Sequence, residues 1–431
     1  MTGYELAAAC LTDPRQERER LALLLPPGVL AADRSSSPAA AGDPARCAVL
    51  AWARSGLMHL TGLAAGPPLA PTAPVLLRAG AVATAITDLS GALGRRVEVD
   101  LNHLLAFRAS LAGWSRRGTV SANGTCRILR AADGWLAVNL ARPSDVECLP
   151  ALLRRALRGE PWAELAAHAE VRPAASLAAA AQVLGIPAAP LAGPVAGPVR
   201  ISELGPAGQA PAVVLDLSAM WAGPLCARVL RLAGLELIKV EDVSRPDGAR
   251  TRLPAFYAEL HKNAQDIAVD FGTPRGRAEL ARLADSAGVV IEASRPRALR
   301  RLGLIAEEWL ASRPGRVWVS VTGYGRDDPQ HRVAFGDDAA AAGGLVACTR
   351  DGTPVFCGDA IADPLTGLYA ALAALASRAA GGGRLVDVAM AGVCAELSRP
   401  AATPPHDHEV FLAGAGWTVS HAGLSQQVVA A

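Results

Sequence analysis

An aspartate followed by a proline, Asp363 and Pro364, precedes a long stretch of small and apolar residues. Aspartate accepts hydrogen bonds from the free amides at a helix start, and proline is tolerated in the first turn. The simplest prediction is therefore that Asp363 caps a helix. Asp363 is also the candidate reactive group of this chain, because a carboxylate at the mouth of a helix is placed to meet a substrate. The surrounding elements must decide between the two roles.

Three other groups of polar residues are weaker candidates for chemistry. The His-Asp-His run at residues 406–408 has metal-ligating side chains, but a flexible polar segment after two prolines is the more common explanation. Asp337 and Asp338 follow a glycine, which favours a solvated turn over a catalytic pair. Ser218 and His331 have no visible third member of a hydrolase triad. We predict no metal site.

Composition narrows the classes of function. The chain has 431 residues, of which 51% are hydrophobic, so it can bury a large core and should contain more than one domain. Its formal net charge is only +2, which argues against nucleic acid or an anionic membrane as a partner. The eight cysteines form no C-x-x-C pair, and the N-terminus lacks the pattern of a secretory signal. We expect a cytoplasmic protein with reduced thiols.

From about residue 211, short apolar strands alternate with helices. The strand candidates are residues 213–218, 237–241, 267–270, 288–292 and 316–321. This alternation predicts an α/β fold: a mostly parallel, Rossmann-like sheet with helices on both faces. Sites in such sheets form at the carboxyl ends of strands. Since no G-x-G-x-x-G joins the first strand to the first helix, a nicotinamide enzyme is disfavoured.

The earlier half of the chain is organised differently. Residues 123–200 combine two strand candidates with helical segments and end in a Pro-rich linker, which predicts a smaller α+β domain. The predicted division is an N-terminal helical and linker segment at 1–45, a partial repeat of the large domain at 46–122, the small domain at 123–200, the large domain at 201–400 and a C-terminal tail at 401–431.

The partial repeat has a traceable register. Residues 55–61 parallel residues 343–349, and residues 94–99, which alternate like a strand, parallel residues 383–388. The two pairs are separated by nearly the same number of residues. This register places Leu76 opposite Asp363, so the first copy lacks the carboxylate.

Several ordered motifs between residues 211 and 398 resemble the class III CoA-transferases, the family that includes formyl-CoA:oxalate and carnitine CoA-transferases and the α-methylacyl-CoA racemases. The motifs are Val-Leu-Asp-Leu-Ser at 214–218 with Ala-Gly-Pro at 222–224, Ile-Lys-Val-Glu at 238–241, Leu-Arg-Arg-Leu-Gly-Leu at 299–304, Ser-Val-Thr-Gly-Tyr-Gly at 320–325, Ala-Asp-Pro-Leu-Thr-Gly at 362–367 and Gly-Arg-Leu-Val-Asp-Val at 383–388. Residues 46–200 resemble the later half of such a protein, so the domain order is rearranged.

This resemblance implies that Asp363 is a nucleophile and that the reaction moves CoA from an acyl-CoA thioester to a carboxylic acid through an aspartyl-CoA thioester. Coenzyme A and acyl-CoA are then substrates, and no tightly bound cofactor is expected. The residues that match positions near the CoA or acyl site are Met220, Trp221, Lys239, Arg301 and Tyr324. The chain departs from the family at residues 261–266, where two cations are missing, and at residues 292–294, where Glu-Ala-Ser replaces Glu-Asn-Phe.

Two rival hypotheses stay open. A racemase would require a histidine in the segment before Gly343 and Gly344, and residues 334–338 contain none. The rearranged order could also belong to a degenerate, non-catalytic subunit. The family resemblance implies a homodimer, and the altered order leaves room for a second CoA-transferase-like subunit.

Overall fold

The computed structural model describes residues 4–9, 13–30, 47–401, 405–414 and 416–431. The helices are α1 (Pro14–Leu23), α2 (Ala48–Arg54), α3 (Val75–Ala92), α4 (Leu101–Ala112), α5 (Pro143–Glu147), α6 (Leu149–Leu153), α7 (Pro161–Glu170), α8 (Ala174–Val183), α9 (Ala222–Leu232), α10 (Gly248–Arg252), α11 (Pro254–Leu260), α12 (Pro274–Ser286), α13 (Pro296–Arg301), α14 (Ala306–Ser312), α15 (Gly336–Ala342), α16 (Ala362–Ala379) and α17 (Met390–Leu397).

The strands complete the set of elements. They are β1 (Tyr4–Ala9), β2 (Cys126–Ala131), β3 (Gly134–Asn139), β4 (Ala188–Pro190), β5 (Val199–Glu203), β6 (Val213–Asp216), β7 (Glu236–Asp242), β8 (Gln265–Val269), β9 (Val289–Glu292), β10 (Val317–Thr322), β11 (Val346–Cys348), β12 (Pro354–Phe356), β13 (Arg384–Ala389), β14 (Pro405–Ala413), β15 (Gly416–His421) and β16 (Leu424–Gln427). Much of the Ser- and Pro-rich linker predicted near the N-terminus lies outside the described residues.

The largest sheet has seven strands in the order β5-β13-β10-β9-β6-β7-β8. The six strands from β13 to β8 in this order pair in parallel. The edge strand β5 pairs antiparallel with β13. Alternate residues face opposite layers: Val289 and Ile291 pack with α9 and α16, whereas Val290 packs with α12 and α14. The predicted mixed α/β architecture with a large, mostly parallel sheet is therefore confirmed.

A three-stranded antiparallel sheet, β2-β3-β4, lies in the region predicted to be the small domain. Its apolar face packs with α6, α7 and α8 around a separate core that includes Leu136, Leu149, Leu165 and Ile186. Because this core is formed almost entirely within residues 129–188, the region has its own centre of packing.

The two ends of the described chain meet in an antiparallel sheet of order β1-β14-β15-β16. Residues assigned to a C-terminal tail thus form strands that pair with the N-terminus. His408 is buried in β14 and its Nε2 lies 3.0 Å from Sγ of Cys47, in contrast to the flexible polar segment expected there.

The first copy of the repeat lacks the last strand of the second. Residues 94–99 do not form the predicted strand, although their counterparts lie in β13. β13 is hydrogen-bonded on both sides, by β10 and β5. An alternating sequence becomes a strand only where a neighbour completes its hydrogen bonds.

Within the described ranges, one helix is long and apolar enough to cross a bilayer. This helix is α3, and 61% of it is buried inside the protein. It packs against α16 and contributes Val75, Val82 and Ile86 to the main core. The packing accounts for its apolar composition, as in the core helix of a folded domain.

Candidate active site

Helix α16 presents Asp363 in its first turn. The helix begins at Ala362 with Ile361 as the capping residue, and no side chain forms a capping hydrogen bond there. The predicted capping role of Asp363 is therefore wrong, because the helix starts two residues earlier than the Asp-Pro pair suggested. Asp363 keeps part of its surface exposed, whereas nearly all the rest of α16 is buried. A partly accessible carboxylate at the positive end of a helix is available for chemistry.

Glycines allow the backbone to close around this position. A Cβ atom at Gly336 would lie 2.3 Å from Oδ2 of Asp363 and 2.4 Å from the Ala360 carbonyl oxygen. A Cβ atom at Gly367, one turn into α16, would lie 2.7 Å from the Ala222 carbonyl oxygen of α9. Both distances are too short for a real Cβ contact, so glycine is required for the start of α15 and the flank of α9 to approach α16 this closely.

Two further carboxylates surround Asp363. Asp337 accepts hydrogen bonds from the backbone amide of Ala360 at 2.8 Å and from Nδ2 of Asn123 at 2.7 Å. The same Asn123 nitrogen lies 3.2 Å from Oδ1 of Asp359. Asp337 and Asp359 are buried, so one amide side chain joins two carboxylates out of contact with bulk water. We call Asp337, Asp359 and Asp363 the carboxylate cluster.

One guanidinium group balances part of this negative charge. Arg108 of α4 donates from Nε and Nη2 to the two oxygens of Asp359, each at 2.7 Å. Its guanidinium carbon lies 4.8 Å from the ring centre of Trp221 and 5.5 Å from that of Trp114. The bidentate geometry and the two aromatic faces hold Arg108 in one place.

The cluster changes the acidity of its members. Removal from water raises the pKa of Asp363 to about 7; Arg108 opposes the rise, and the charges of Asp337 and Asp359 add to it. Removal from water, followed by the charge of Asp359, also raises the pKa of Asp337 to about 6. Burial and the neighbouring carboxylates thus favour the protonated form of Asp363 relative to an exposed aspartate, and acids shifted in this way are common at reactive sites.

Asp337 and its neighbour Asp338 were expected in a solvated turn, and that expectation is wrong. They begin α15 and are 3% and 0% exposed. Asp338 accepts hydrogen bonds from Nδ2 of Asn139 and from the backbone amide of Phe335. Its removal from water raises its pKa to about 7. The preceding glycine serves close packing here rather than exposure.

Met220 and Trp221 lie after the carboxyl end of β6, as predicted. Met220 has a φ of 73°, an unusual value for a residue with a side chain, and its amide donates to the Asp247 carboxylate at 3.0 Å. Trp221 is buried edge-to-face against Phe256, with ring centres 5.0 Å apart, and it also contacts Arg108. Trp221 therefore connects the end of β6 with the carboxylate cluster, while Met220 stays half-buried beside it.

Lys239 was predicted as a phosphate contact. Its side chain is 1% exposed, its ammonium lies 3.6 Å from Asp216 and 3.9 Å from Asp247, and it donates to the Ser218 carbonyl oxygen. These partners compensate its charge inside the protein, which disfavours direct binding of a phosphate. Lys239 instead supports the loop that carries Met220.

Arg301 and Tyr324 occupy different surroundings. Arg301 is exposed at the end of α13. Tyr324 is buried after β10, with the Arg332 guanidinium 3.9 Å from its ring centre. Tyr324 and Arg332 line a cleft of about 350 Å³ at the carboxyl ends of β10 and β13. Tyr324 lines this cleft and Asp363 does not.

Glu292 lies in the segment 292–294, which differs from the family pattern, and its side chain is hydrogen-bonded inside the protein. Glu292 is buried at the end of β9 and accepts hydrogen bonds from Nε1 of Trp318 and Nη1 of Arg326, both at 2.9 Å. Removal from water raises the pKa of Glu292.

Among the described residues, no group of three or more His, Cys, Asp and Glu side chains is arranged to hold a metal ion.

Sequence reasoning missed Arg108 and Asn123 and gave no role to Asp359. Arg108 lies 251 residues from Asp359, and Asn123 lies 214 residues from Asp337. No local motif marks such contacts. The repeat register contains one signal that was not used: continued past residues 94–99 and 383–388, it pairs α4 with α17, and both helices contact α16.

Comparison with known proteins finds similarity in the second half of the chain. Residues 211–416 match the model of CoA-transferase family III. A succinyl-CoA–D-citramalate CoA-transferase of Chloroflexus aurantiacus is 34% identical over 189 residues, which cover 41% of this chain and 47% of that protein. A succinyl-CoA:glutarate CoA-transferase of Mus musculus is 35% identical over 167 residues, covering 36% of this chain and 38% of that protein.

A crystal structure of a CaiB/BaiF family protein from Brucella suis is 28% identical and covers 44% of this chain and 55% of that chain, with a TM-score of 0.40. The chain spans about half the length of the curated relatives it matches. The matched segment contains Asp363, the parallel sheet and the strand-end loops. Residues 211–416, slightly less than half of the chain, are therefore similar to CoA-transferase family III.

Proposed function

We propose that the protein transfers CoA from an acyl-CoA thioester to a carboxylic acid, with Asp363 as the nucleophile. The observation that carries this proposal is the position of Asp363: a partly exposed carboxylate in the first turn of α16, within the segment that matches the family. The named CoA-transferase relatives support the same class of reaction. The strand order, in which β6 and β9 are adjacent and successive strands extend outward on either side, supports a Rossmann-like arrangement.

The first half-reaction begins with attack of an Asp363 oxygen on the donor thioester carbonyl. The C–S bond breaks, CoA leaves as a thiolate, and a mixed anhydride between Asp363 and the acyl group forms. The thiolate then attacks the Asp363 carbonyl carbon. This step breaks the anhydride, releases the donor acid as a carboxylate and leaves an aspartyl-CoA thioester.

The second half-reaction reverses these steps with the acceptor. The acceptor carboxylate attacks the aspartyl thioester and releases CoA thiolate, which then attacks the acceptor carbonyl of the new anhydride. The products are the acceptor's CoA thioester and a free Asp363 carboxylate that has gained one acceptor oxygen. No net proton or electron is consumed.

The residues around Asp363 suit these steps. The backbone of Gly336 lies close against the Asp363 carboxylate, and Asp363 lies in the first turn of α16, where the helix amides are free to donate. Such donors stabilise the oxyanions that develop at each attack. The buried flanks of α16 limit the access of water, which matters because an anhydride hydrolyses readily.

Substrate contacts follow from the same proposal. Met220 and Trp221 follow the end of β6, and Trp221 contacts Arg108 of the carboxylate cluster's ion pair, so both would lie beside the bound thioester. Arg301 is exposed and could bind a CoA phosphate. Lys239 would stabilise the loop that carries Met220, through its hydrogen bond to the Ser218 carbonyl oxygen. Tyr324 would contact substrate only from the cleft that it lines. Contacts between residues from the two halves of one chain favour a site completed within a single subunit. We place the reaction in the cytoplasm.

Trapping of the enzyme-bound thioester tests the proposal. The full chain is incubated with a panel of acyl-CoA thioesters and then treated with hydroxylamine or borohydride, and the Asp363 peptide is analysed by mass spectrometry. Conversion of Asp363 to a hydroxamate or to an alcohol is expected for at least one thioester. Unmodified Asp363 with every thioester, together with no CoA binding, would rule out the transferase assignment; α-proton exchange without CoA transfer would point to a racemase.

A further inference from the structure

A charge pair joins the two halves of the chain beside the candidate nucleophile. Arg108 comes from α4, in the partial repeat, and Asp359 precedes α16, in the family-matched segment. We propose that Arg108 and Asp359 are a positioning pair that keeps the Asp363 carboxylate ready to attack. This inference rests on the proposed transferase function, but it makes a separate claim about the chain's own charges.

The geometry of the pair is well defined. Both carboxylate oxygens of Asp359 accept from Arg108 at 2.7 Å, and the Asp359 side chain is fully buried. Trp221 and Trp114 lie against the guanidinium. A buried bidentate pair costs desolvation energy on both sides, so its retention beside a reactive carboxylate calls for an explanation beyond stability.

The pair is connected to Asp363 through short links. Asn123 joins Asp359 to Asp337 through one Nδ2 atom, and Asp337 accepts from the amide of Ala360. The Ala360 carbonyl in turn accepts from the amide of Asp363 at 2.9 Å. Displacement of Arg108 or Asp359 would therefore be transmitted to the backbone that carries Asp363 as well as to its electrostatic surroundings.

The charges that face Asp363 come from several elements. Arg108 of α4 favours the ionised carboxylate, while Asp337 of α15 and Asp359 oppose it. Cys394 of α17 also lies within electrostatic range; burial raises the pKa of this thiol, which keeps it neutral. Three carboxylates thus lie near one guanidinium, so that Arg108 and Asp359 act in opposite directions on the ionisation of Asp363, in addition to the effects of burial and Asp337.

Opposite substitutions should have opposite effects. Arg108→Gln removes the positive charge, so the pH at which Asp363 is half-ionised should rise by about 1 unit. Asp359→Asn removes a negative charge and leaves Arg108 uncompensated, so the same midpoint should fall by about 1 unit. The double variant removes one charge of each sign and should return the midpoint close to the original value.

The experiment measures this midpoint in two independent ways. Difference infrared spectroscopy follows the Asp363 carboxyl band against pH, with an Asp363→Asn protein as the subtraction reference. The pH profile of acyl-CoA transfer is recorded for the same proteins. Arg282→Gln is the control. Arg282 pairs with Glu279 at the surface, where its side chain is 66% exposed, so its replacement should not shift the Asp363 midpoint.

The outcomes separate the two proposals. Opposite shifts in the single variants and restoration in the double variant support the positioning pair, even if transferase activity were absent. An unchanged Asp363 midpoint in a folded Arg108→Gln protein would overturn it, even in an active enzyme. If Arg108→Gln does not fold, Asp359→Asn alone decides: a fall in the midpoint supports the pair, and no fall overturns it.

Discussion

Helices α3 and α16 are the equivalent helices of the internal repeat, and they pack against each other. Each spans eighteen residues, and the register places Leu76 and Asp363 at the second position of the two helices. Leu76 is buried in the main core, whereas Asp363 is partly exposed among other carboxylates. The comparison teaches that both helices are packing elements and that the start of α16 alone of the two carries a partly exposed carboxylate at this position.

The largest expected effect is the loss of CoA transfer when the carboxylate at the second position of α16 is replaced. Asp363→Asn removes the nucleophile while preserving shape, so CoA transfer should fall by about a thousandfold or more. Rates of transfer measured with saturating acyl-CoA check this, and circular dichroism checks that the fold is retained. Activity within tenfold of the original would contradict a nucleophilic role.

The reverse substitution tests whether the position alone creates reactivity. Leu76→Asp places an unpaired carboxylate in a packed core, so the free energy of unfolding should fall by about 3 kcal/mol with no gain in activity. Thr84→Asp, at an exposed position of the same helix, is the control and should cost less than about 0.5 kcal/mol. Denaturant unfolding measures both; a Leu76→Asp protein as stable as the control would show that the two helices differ less than described.

The repeat also pairs two glycines, Gly80 in α3 and Gly367 in α16. A Cβ at Gly367 meets the Ala222 carbonyl oxygen at 2.7 Å, whereas no atom lies within 4 Å of a Cβ at Gly80. Gly367→Ala should therefore destabilise the protein by about 2 kcal/mol through overpacking. Gly80→Ala should stabilise it by about 0.5 kcal/mol through helix propensity. Equal effects of the two substitutions on thermal unfolding would contradict this asymmetry.

The smallest expected effect concerns pH. Because the folded state raises the pKa of Asp363 from 3.8 to about 7, it binds more protons than the unfolded chain between these values. Stability contributed by the protonated side chain is therefore present at low pH and lost as the pH rises from 4 through 7. Asp363→Asn should reduce this loss by on the order of 1 kcal/mol, since the group is partly exposed. Unfolding curves at pH 5 and 8 measure the difference; an unchanged slope would argue against the shifted carboxyl.

The sequence was sufficient for the parts of the fold that depend on local pattern. Mostly apolar runs such as residues 213–216 and 317–322 identify buried parallel strands, because a strand covered on both faces is apolar along most of its length. The same local reasoning failed at residues 94–99, where alternation alone could not supply a neighbouring strand. It also placed the start of α16 two residues late.

The site was only partly accessible to sequence reasoning. Asp363 was found because it lies in an ordered set of motifs. Arg108 was not, because its contact with Asp359 is made by folding rather than by spacing. The burial of Lys239 and Asp337 was missed for a related reason: a charged side chain is interpreted as exposed unless its partners are known.

Oxygen transfer from the acceptor to Asp363 tests the central claim most directly. The full chain is incubated with an acyl-CoA donor and an acceptor carboxylate labelled with ¹⁸O. The peptide that contains Asp363 is then isolated, and its mass is measured by mass spectrometry. The account predicts that turnover places one labelled acceptor oxygen in the Asp363 carboxylate. Formation of the acceptor's CoA thioester without any label in Asp363 would contradict it.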